Sequence, residues 1–513
     1  MIKNIFTSST SAAFEWQNDL PYYTEEKYTV YLNGEVAHVG CTNVFSIFNL
    51  EPDTEYTLTF SINPISITFR TLSETCALSV KDFGAVGDGA SDDTYAIQTA
   101  INCLPKGGRL YFPKGTYLTS PLSLKSHITL DIPKETCIMG IADKSRYPII
   151  PGEVMDTVTG EPIVLGTWEG NVAPMHQSLI FAEFAEDITI VGEGRVDGNA
   201  EAAGWWINAK QYKPARPRLL FFNRCCGIRV HGITVSNSPS WQIHPYFSSE
   251  VDFIDLEVRA PAKSPNTDAI DPEACDRVDI IGCRFSVGDD CIAIKSGKID
   301  VAKRYKTPAN RHTVRNCLMQ FGHGGVTLGS ELAGGVKNLT VNKCVFNETD
   351  RGLRIKTRRG RGKYSVIDGV IFENIIMKGV RVPIVINSWY HCDPDGHDEY
   401  VWSREKLPVD DRTPYLGAFT FRDIKCTDCH YAACYCDGLP EQPIKSVTLD
   451  NISFTYSEHA LSGKPASRDF VPDFCRVGMY FDNVDRLTVR NVSISGQEGE
   501  GLVLHNVGEL LEL

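Results

Sequence analysis

One short pattern dominates the chain from residue 228 onward: apolar-x-apolar-x-polar-apolar-x-apolar. It reads IRVHGITV (228–235), VDFIDLEV (251–258), VDIIGCRF (278–285), HTVRNCLM (312–319), LTVNKCVF (339–346), VIFENIIM (370–377), VTLDNISF (447–454) and LTVRNVSI (487–494). Alternation of this kind is the period of a strand rather than of a helix. So short a unit cannot bury an apolar face alone, so copies must stack, and stacking at an irregular spacing builds a solenoid. The expected architecture is all-β, a parallel β-helix whose rungs carry inserted loops of unequal length.

Four signatures lie within this pattern: Asn266-Thr267-Asp268, Gly288-Asp289-Asp290, Gly322-His323-Gly324 and Arg354-Ile355-Lys356. Aligning Ile270, Ile292, Val326 and Leu353, which are 22, 34 and 27 residues apart, superposes DAIDPE, DCIAIK, GGVTLG and RGLRIK. Equivalent positions on successive rungs stack about 4.8 Å apart. One column then reads Asp268, Asp290, Gly324, Arg351, and the position before it sets Asp289 beside His323. Further columns read Asp271, Ala293, Thr327, Arg354 and Glu273, Lys295, Gly329, Lys356. Extending the register upstream through Ile243 puts His244 in line with Asp271 and Arg354; extending it downstream through Ile384 leaves Tyr390 just beyond the Lys356 column. Carboxylates collect at one end of a four-rung patch and cations at the other, which is the layout of an active site and not of a packed core.

In order and spacing these signatures resemble those of the polygalacturonases, glycoside hydrolase family 28, and the likeness runs from about Val80 to the C-terminus. The resemblance implies a right-handed parallel β-helix that hydrolyses α-1,4-galacturonosyl linkages in pectate or oligogalacturonides. Such hydrolysis needs a proton donor for the leaving oxygen and a base for the water. By resemblance Asp289 is the general acid, and Asp268 and Asp290 hold and deprotonate the water; His323, stacked beside Asp289, is expected to tune its protonation. Crowding three carboxylates raises the pKa of at least one. Arg354 and Lys356 would pair with the uronate carboxylate. Asn266 would fix the cleft wall, and His244 and Tyr390 would lie near the cleft. Inversion at the anomeric centre is implied, with carboxyl groups ~6.5–9.5 Å apart. No cofactor and no metal site is expected. Rival readings are a hydrolase of xylogalacturonan or rhamnogalacturonan, a calcium-dependent pectate lyase, and an inactive pectin-binding solenoid.

The net charge of −13 argues at first against a polyanionic substrate. Local charge decides, because salt screens fields beyond about 8–10 Å. Six basic residues lie between Arg354 and Lys363; Arg358, Arg359, Arg361 and Lys363 read equally as a solvated loop or as substrate contacts. Neither nucleic acid nor a membrane is an expected partner, since no long uncharged apolar stretch occurs. The 17 cysteines are an odd number, and Cys283, Cys317 and Cys344 occupy equivalent positions, so buried thiols are expected rather than a disulfide framework. With no apolar core near the N-terminus, the expected location is the cytoplasm, or outside it if a leader was removed.

Residues 1–76 read as a separate small β-sandwich, with an Asn33-Gly34 turn and a Leu50–Tyr56 run that resembles a fibronectin type III domain. Residues 77–513 are then the catalytic β-helix. Its entry carries a helix starting near Ser91, Asp92 and Asp93, with Ser91 as the expected cap; capping accounts for these aspartates and Asp88 more simply than calcium does. Two stretches break the rung pattern, about 140–175 and 389–415, together with Trp205-Trp206. All three are expected to project and wall one side of the cleft. With the N-terminal unit they resemble bacterial exopolygalacturonases more than compact endo enzymes, which implies attack from the non-reducing end.

Overall fold

The computed structural model describes residues 1–62 and 65–512. From Ala77 onward the chain winds into a right-handed parallel β-helix, and up to three strands make each rung. In one rung these are Asp276–Ile281, Arg284–Ser286 and Ile292–Ile294. Each pairs in parallel with its equivalent in the next rung, Val278 with His312, Arg284 with Leu318 and Ile292 with Val326. The repeats form the first two faces. Val370 pairs with Phe419 and Phe419 with Val447, so FTFRDIKC at 419–426 is one more copy, separated from its predecessor by the 389–415 insertion.

The polar position of the repeat has a backbone cause. It is the corner between the first two faces, and there φ is positive: Gly232 at +80°, Asp255 at +51°, Gly282 at +71°, Asn316 at +51°, Lys343 at +55°, Asn374 at +53°, Asp423 at +55°, Asn451 at +54° and Asn491 at +47°. Left-handed backbone penalises a Cβ, and Gly, Asn and Asp tolerate it best. Only Lys343 departs from that preference; its ammonium donates to the Asn18 carbonyl of the N-terminal unit. The apolar positions point inward as one continuous core that includes Cys283, Cys317 and Cys344, all fully buried. Their thiols donate to rung carbonyls, for example Cys283 to Phe253 at 3.5 Å. The seventeen cysteines are all free thiols.

The helix Thr94–Cys103 covers the first rung with Ile97, Ala100 and Ile101. Ser91 does not cap it. The N-cap is Asp93, whose carboxylate turns away to accept from the N–H groups of Val86 and Gly87 at 2.5 and 2.9 Å, while Ser91 donates to Asp88. Among the described residues, no helix is long and apolar enough to cross a membrane.

The N-terminal unit is a sandwich of two antiparallel sheets. One holds Ile2–Thr7, Ala12–Trp16 and Val44–Ile47; the other holds Glu35–Thr42, Tyr23–Leu32, Glu55–Phe60 and Ser66–Arg70 in that spatial order. The Tyr56 hydroxyl accepts from the Glu51 N–H at 2.9 Å, which ties the strand back onto the preceding corner. The unit docks on the corner between the first two faces. Phe6, Ala13 and Val44 meet Val191, Ile254 and Ile281, and Glu15 accepts from Arg315 and Asn316.

The basic run after Lys356 is neither solvated nor free for a substrate, except at its end. Arg358, Arg359 and Arg361 are buried at 4%, 1% and 3% exposure. Arg359 makes a fork to Glu441 at 2.6 and 2.8 Å and also donates to the carbonyls of Ser403 and Glu405. Arg358 and Arg361 both bind Asp393. These arginines are struts that fix the 389–415 insertion; Lys363 alone is exposed, paired with Asp411.

Arg359→Ala would strand the Glu441 carboxylate without a partner, and losing one member of such a pair costs about 3–5 kcal/mol. The unfolding midpoint of the variant should fall clearly. Arg359→Met with Glu441→Leu should recover most of that loss.

Candidate active site

The third face carries all four signatures. Its register joins Ile243 to Ile270, Ile270 to Ile292, Ile292 to Val326, Val326 to Leu353 and Leu353 to Ile384. Thr327 therefore stacks on Arg354, and Gly329 on Lys356. Over these strands lies a cavity of about 530 Å³ lined by Asn266, Asp268, Asp289, His323, Arg354, Lys356 and Tyr390, with Trp241, Lys295, Glu331 and Glu169 beside them. Asp290 lies just beneath this surface, fully buried.

Asp268, Asp289 and Asp290 each bring a carboxylate oxygen within 4.8 Å of the others. The gap of ~6.5–9.5 Å that a two-carboxylate inverting pair would show is thus not the geometry here. The three environments differ sharply. Asp290 accepts from Lys356 Nζ at 2.8 Å and from Arg354 Nη1 at 3.2 Å. Burial alone would raise its pKa, but these two cations outweigh burial and hold it well below the usual carboxylate range. Asp268 has no such partner; burial first, then the negative charges of Asp289 and Asp271, push it well above that range. Asp289 is the one whose side chain keeps substantial exposure, 22%, and His323 Nδ1 lies 3.3 Å from it. That contact, more than any other, raises the His323 pKa.

Local backbone explains why these motifs read as they do. Asn266 sits at φ +55°, a left-handed position suited to asparagine, and its side-chain oxygen accepts from Arg216 Nη2 at 2.6 Å. Arg216 is itself fully buried and also donates to the carbonyls of Pro239 and Pro265, so the KPARPR segment braces the cleft wall. At Gly324 a Cβ would come 2.2 Å from Thr327 Oγ1 and 2.8 Å from Asp290 Oδ1, so only glycine leaves room for the carboxylate. Arg354 and Lys356 line the cleft as expected, yet both also serve Asp290; each keeps further N–H donors for a second anion. Tyr390 lies 5.9 Å under Lys356 Nζ.

His244 is the residue that the structure moves out of the cleft. It is fully buried, its Nε2 is 3.0 Å from Glu273 Oε2, and the Trp241 ring stands edge-on to it at 4.9 Å. Burial drives its pKa well below that of free imidazole, so it is neutral. Trp241 lines the cleft near it, with Lys295 Nζ at 4.4 Å and the Arg218 guanidinium at 4.3 Å from its ring. Lys295 in turn pairs with Glu331 at 2.9 Å and faces Asp271 at 3.5 Å.

A family model described as "Glycosyl hydrolases family 28" matches residues 165–468, and one described as "Rhamnogalacturonase A/epimerase, pectate lyase-like" matches residues 77–131. The first match spans more than half of the chain. The protein belongs to glycosyl hydrolase family 28. It is 30% identical to a probable polygalacturonase of Vitis vinifera over 73% of each chain. It is 28% identical to an endo-polygalacturonase of Pectobacterium carotovorum subsp. carotovorum, over 67% of this chain and 83% of the relative. Among solved structures, a hyperthermoactive exopolygalacturonase from Thermotoga maritima is 25% identical, with a TM-score of 0.62 over 83% of this chain and 93% of that one.

In this family 28 hydrolase the excursions from the rungs border the cavity. The 149–176 stretch folds into two small hairpins, Glu153–Met155 with Pro162–Val164 and Thr167–Trp168 with Asn171–Val172, closed at the base by the antiparallel pair Ile149–Ile150 with Met175–His176. Glu169 and Gly170 form the tip of the second hairpin, at φ +47° and +73°, the signs of a type I′ turn. The tip docks beside Glu331, where the Gly170 carbonyl accepts from the Lys298 N–H at 3.1 Å, and a Cβ on Gly170 would meet Glu331 Cγ at 2.6 Å. From the 389–415 stretch come Tyr390, Cys392 and Asp393. Trp205 and Trp206 take no part. Trp205 is buried against Tyr147 and His176, and Trp206 donates to the Ser238 carbonyl. Among the described residues, none of the N-terminal unit lines the cavity.

The charges around Asp290 and His323 set an expectation for pH. Lys356→Met should move the acid limb of the rate profile upward by about 1–3 pH units, since one cation holding Asp290 ionised is gone. The alkaline limb of the unaltered enzyme should lie above pH 6.5, where the raised His323 loses its proton, and His323→Gln should shift that limb.

Proposed function

We propose that the enzyme hydrolyses α-1,4-galacturonosyl bonds of pectate and oligogalacturonides, releasing galacturonate or its dimer from the non-reducing end with inversion. The observation that carries this reading is the unequal exposure of three clustered carboxylates. Asp289 is the most exposed of the three, so it is the group placed to give a proton to the leaving oxygen. Asp268 and Asp290 hold the attacking water between them, and ionised Asp290 takes its proton. As the C1–oxygen bond to the leaving sugar breaks, a bond from C1 to the water oxygen forms. Both water-binding carboxylates are too buried, at 4% and 0% exposure, to bond to the sugar themselves, which favours a single displacement by water over a covalent intermediate. Lys356 and Arg354 hold the uronate carboxylate with the donors that Asp290 does not use.

End-on attack is supported by the hairpin tip at Glu169-Gly170 and by the wall at Tyr390–Asp393, which border the cavity from separate excursions. The Thermotoga relative is named an exopolygalacturonase, whereas the Pectobacterium relative is named an endo enzyme. Viscometry on polygalacturonate separates the two modes. We expect reducing ends to accumulate while viscosity falls slowly; a steep early drop would rule out exo action.

Asp289→Asn should fold normally and lose on the order of 10²–10⁴ in kcat, the usual worth of one acid–base group. Turnover near that of the unaltered enzyme would reject the acid assignment. Proton NMR at early times should show the β-anomer as the first product from the α-linked substrate.

A further inference from the structure

At the rim of the cleft, two excursions bring three metal-ligating side chains to one point. His391 and His397 come from the 389–415 stretch, and Asp469 from the stretch between the strands Ile444–Tyr456 and Val477–Ser495. His391 Nδ1 lies 2.9 Å from Asp469 Oδ1, His397 Nδ1 lies 2.7 Å from Asp469 Oδ2, and the two rings are 5.0 Å apart. All three ligand atoms fall within 4.8 Å of one another.

Charge balance at this point is unusual. Among the described residues Asp469 has no lysine or arginine partner; both of its oxygens face imidazoles. A carboxylate flanked by two imidazole nitrogens is the donor set of a divalent transition metal. Two nitrogens and one oxygen suit zinc, whereas calcium and magnesium take oxygen ligands.

We propose that His391, His397 and Asp469 form a zinc site that clasps the two rim excursions together, with at least one coordination position left for water. The clasp sits where the rim touches the catalytic groove. Neighbouring Ser467 accepts from Asn387 Nδ2 at 3.1 Å and from the His391 N–H at 3.4 Å through its carbonyl, and its hydroxyl lies 3.4 Å from Arg354 Nη2. Neighbouring Arg468 donates to Asp437 at 2.8 Å. Fixing Asp469 therefore fixes the loop that borders Arg354. The metal would act on the stability of the rim and on substrate affinity, and no step of the hydrolysis passes through it.

The test is direct binding of Zn²⁺ to metal-stripped full-length protein by isothermal titration calorimetry. We expect one equivalent to bind and the thermal unfolding midpoint to rise. Co²⁺ in place of Zn²⁺ should give the visible d–d absorption of a low-coordinate nitrogen–oxygen site. His397→Ala, which alters an exposed side chain, and Asp469→Asn should each abolish binding and the Co²⁺ spectrum. Asp289→Asn should keep both, which separates this site from the catalytic carboxylates and makes the result independent of the proposed reaction. No binding to the unaltered protein, or binding that survives His397→Ala, would overturn the proposal.

Discussion

Parallel pairing without slippage is the constraint on which this molecule depends. Each third-face strand bonds to its neighbour one rung away, so a residue's position along the strand fixes its column, and a one-residue slip would turn every outward side chain inward. Asp290, Arg354 and Lys356 are far apart in sequence, yet the ladder from Ile292 through Val326 to Leu353 leaves them no other arrangement than contact. The chemistry of the cleft is thus a by-product of backbone hydrogen bonding. The corner residues with positive φ keep the ladder in step by turning each rung at the same place.

Within that frame electrostatics divides one residue type into different states. The same carboxylate is driven down at Asp290 by two cations and driven up at Asp268 by burial and anionic neighbours. A buried charge is tolerated only with such partners. Lys295 with Glu331, and Arg359 with Glu441, obey the same rule outside the three clustered aspartates. An overall negative chain can therefore still present cations at the cleft, because Arg354 and Lys356 keep donors beyond those that Asp290 uses.

Much of this was legible in the sequence for a physical reason. Apolar alternation survives as a readable signal wherever a side chain must enter the solenoid interior, so aligning Ile270, Ile292, Val326 and Leu353 was enough to predict the columns. The failures fall where no periodicity operates. The hairpins of 149–176 have strands of two or three residues, too short to leave a pattern. Arg358, Arg359 and Arg361 read as a basic loop because their partners Asp393 and Glu441 lie 32 to 82 residues away. His244 occupies the expected column, but the sequence does not reveal that Trp241 and Glu273 enclose it. Arg216, which holds Asn266, lies in an irregular segment with no rung to register against.

The floor and the walls of the cleft are held by different kinds of force. Rungs are joined by backbone ladders that are blind to side-chain identity, whereas the excursions are anchored by particular contacts: the arginine struts at Asp393 and Glu441, and the hairpin tip seated beside Glu331. Reach along a polymer and bond-breaking chemistry are consequently inherited separately. A lineage could lengthen, trim or exchange an excursion by changing a handful of anchoring side chains while every column of the third face stayed in place. Divergence in chain-length preference would then be quick, and divergence in the reaction itself slow.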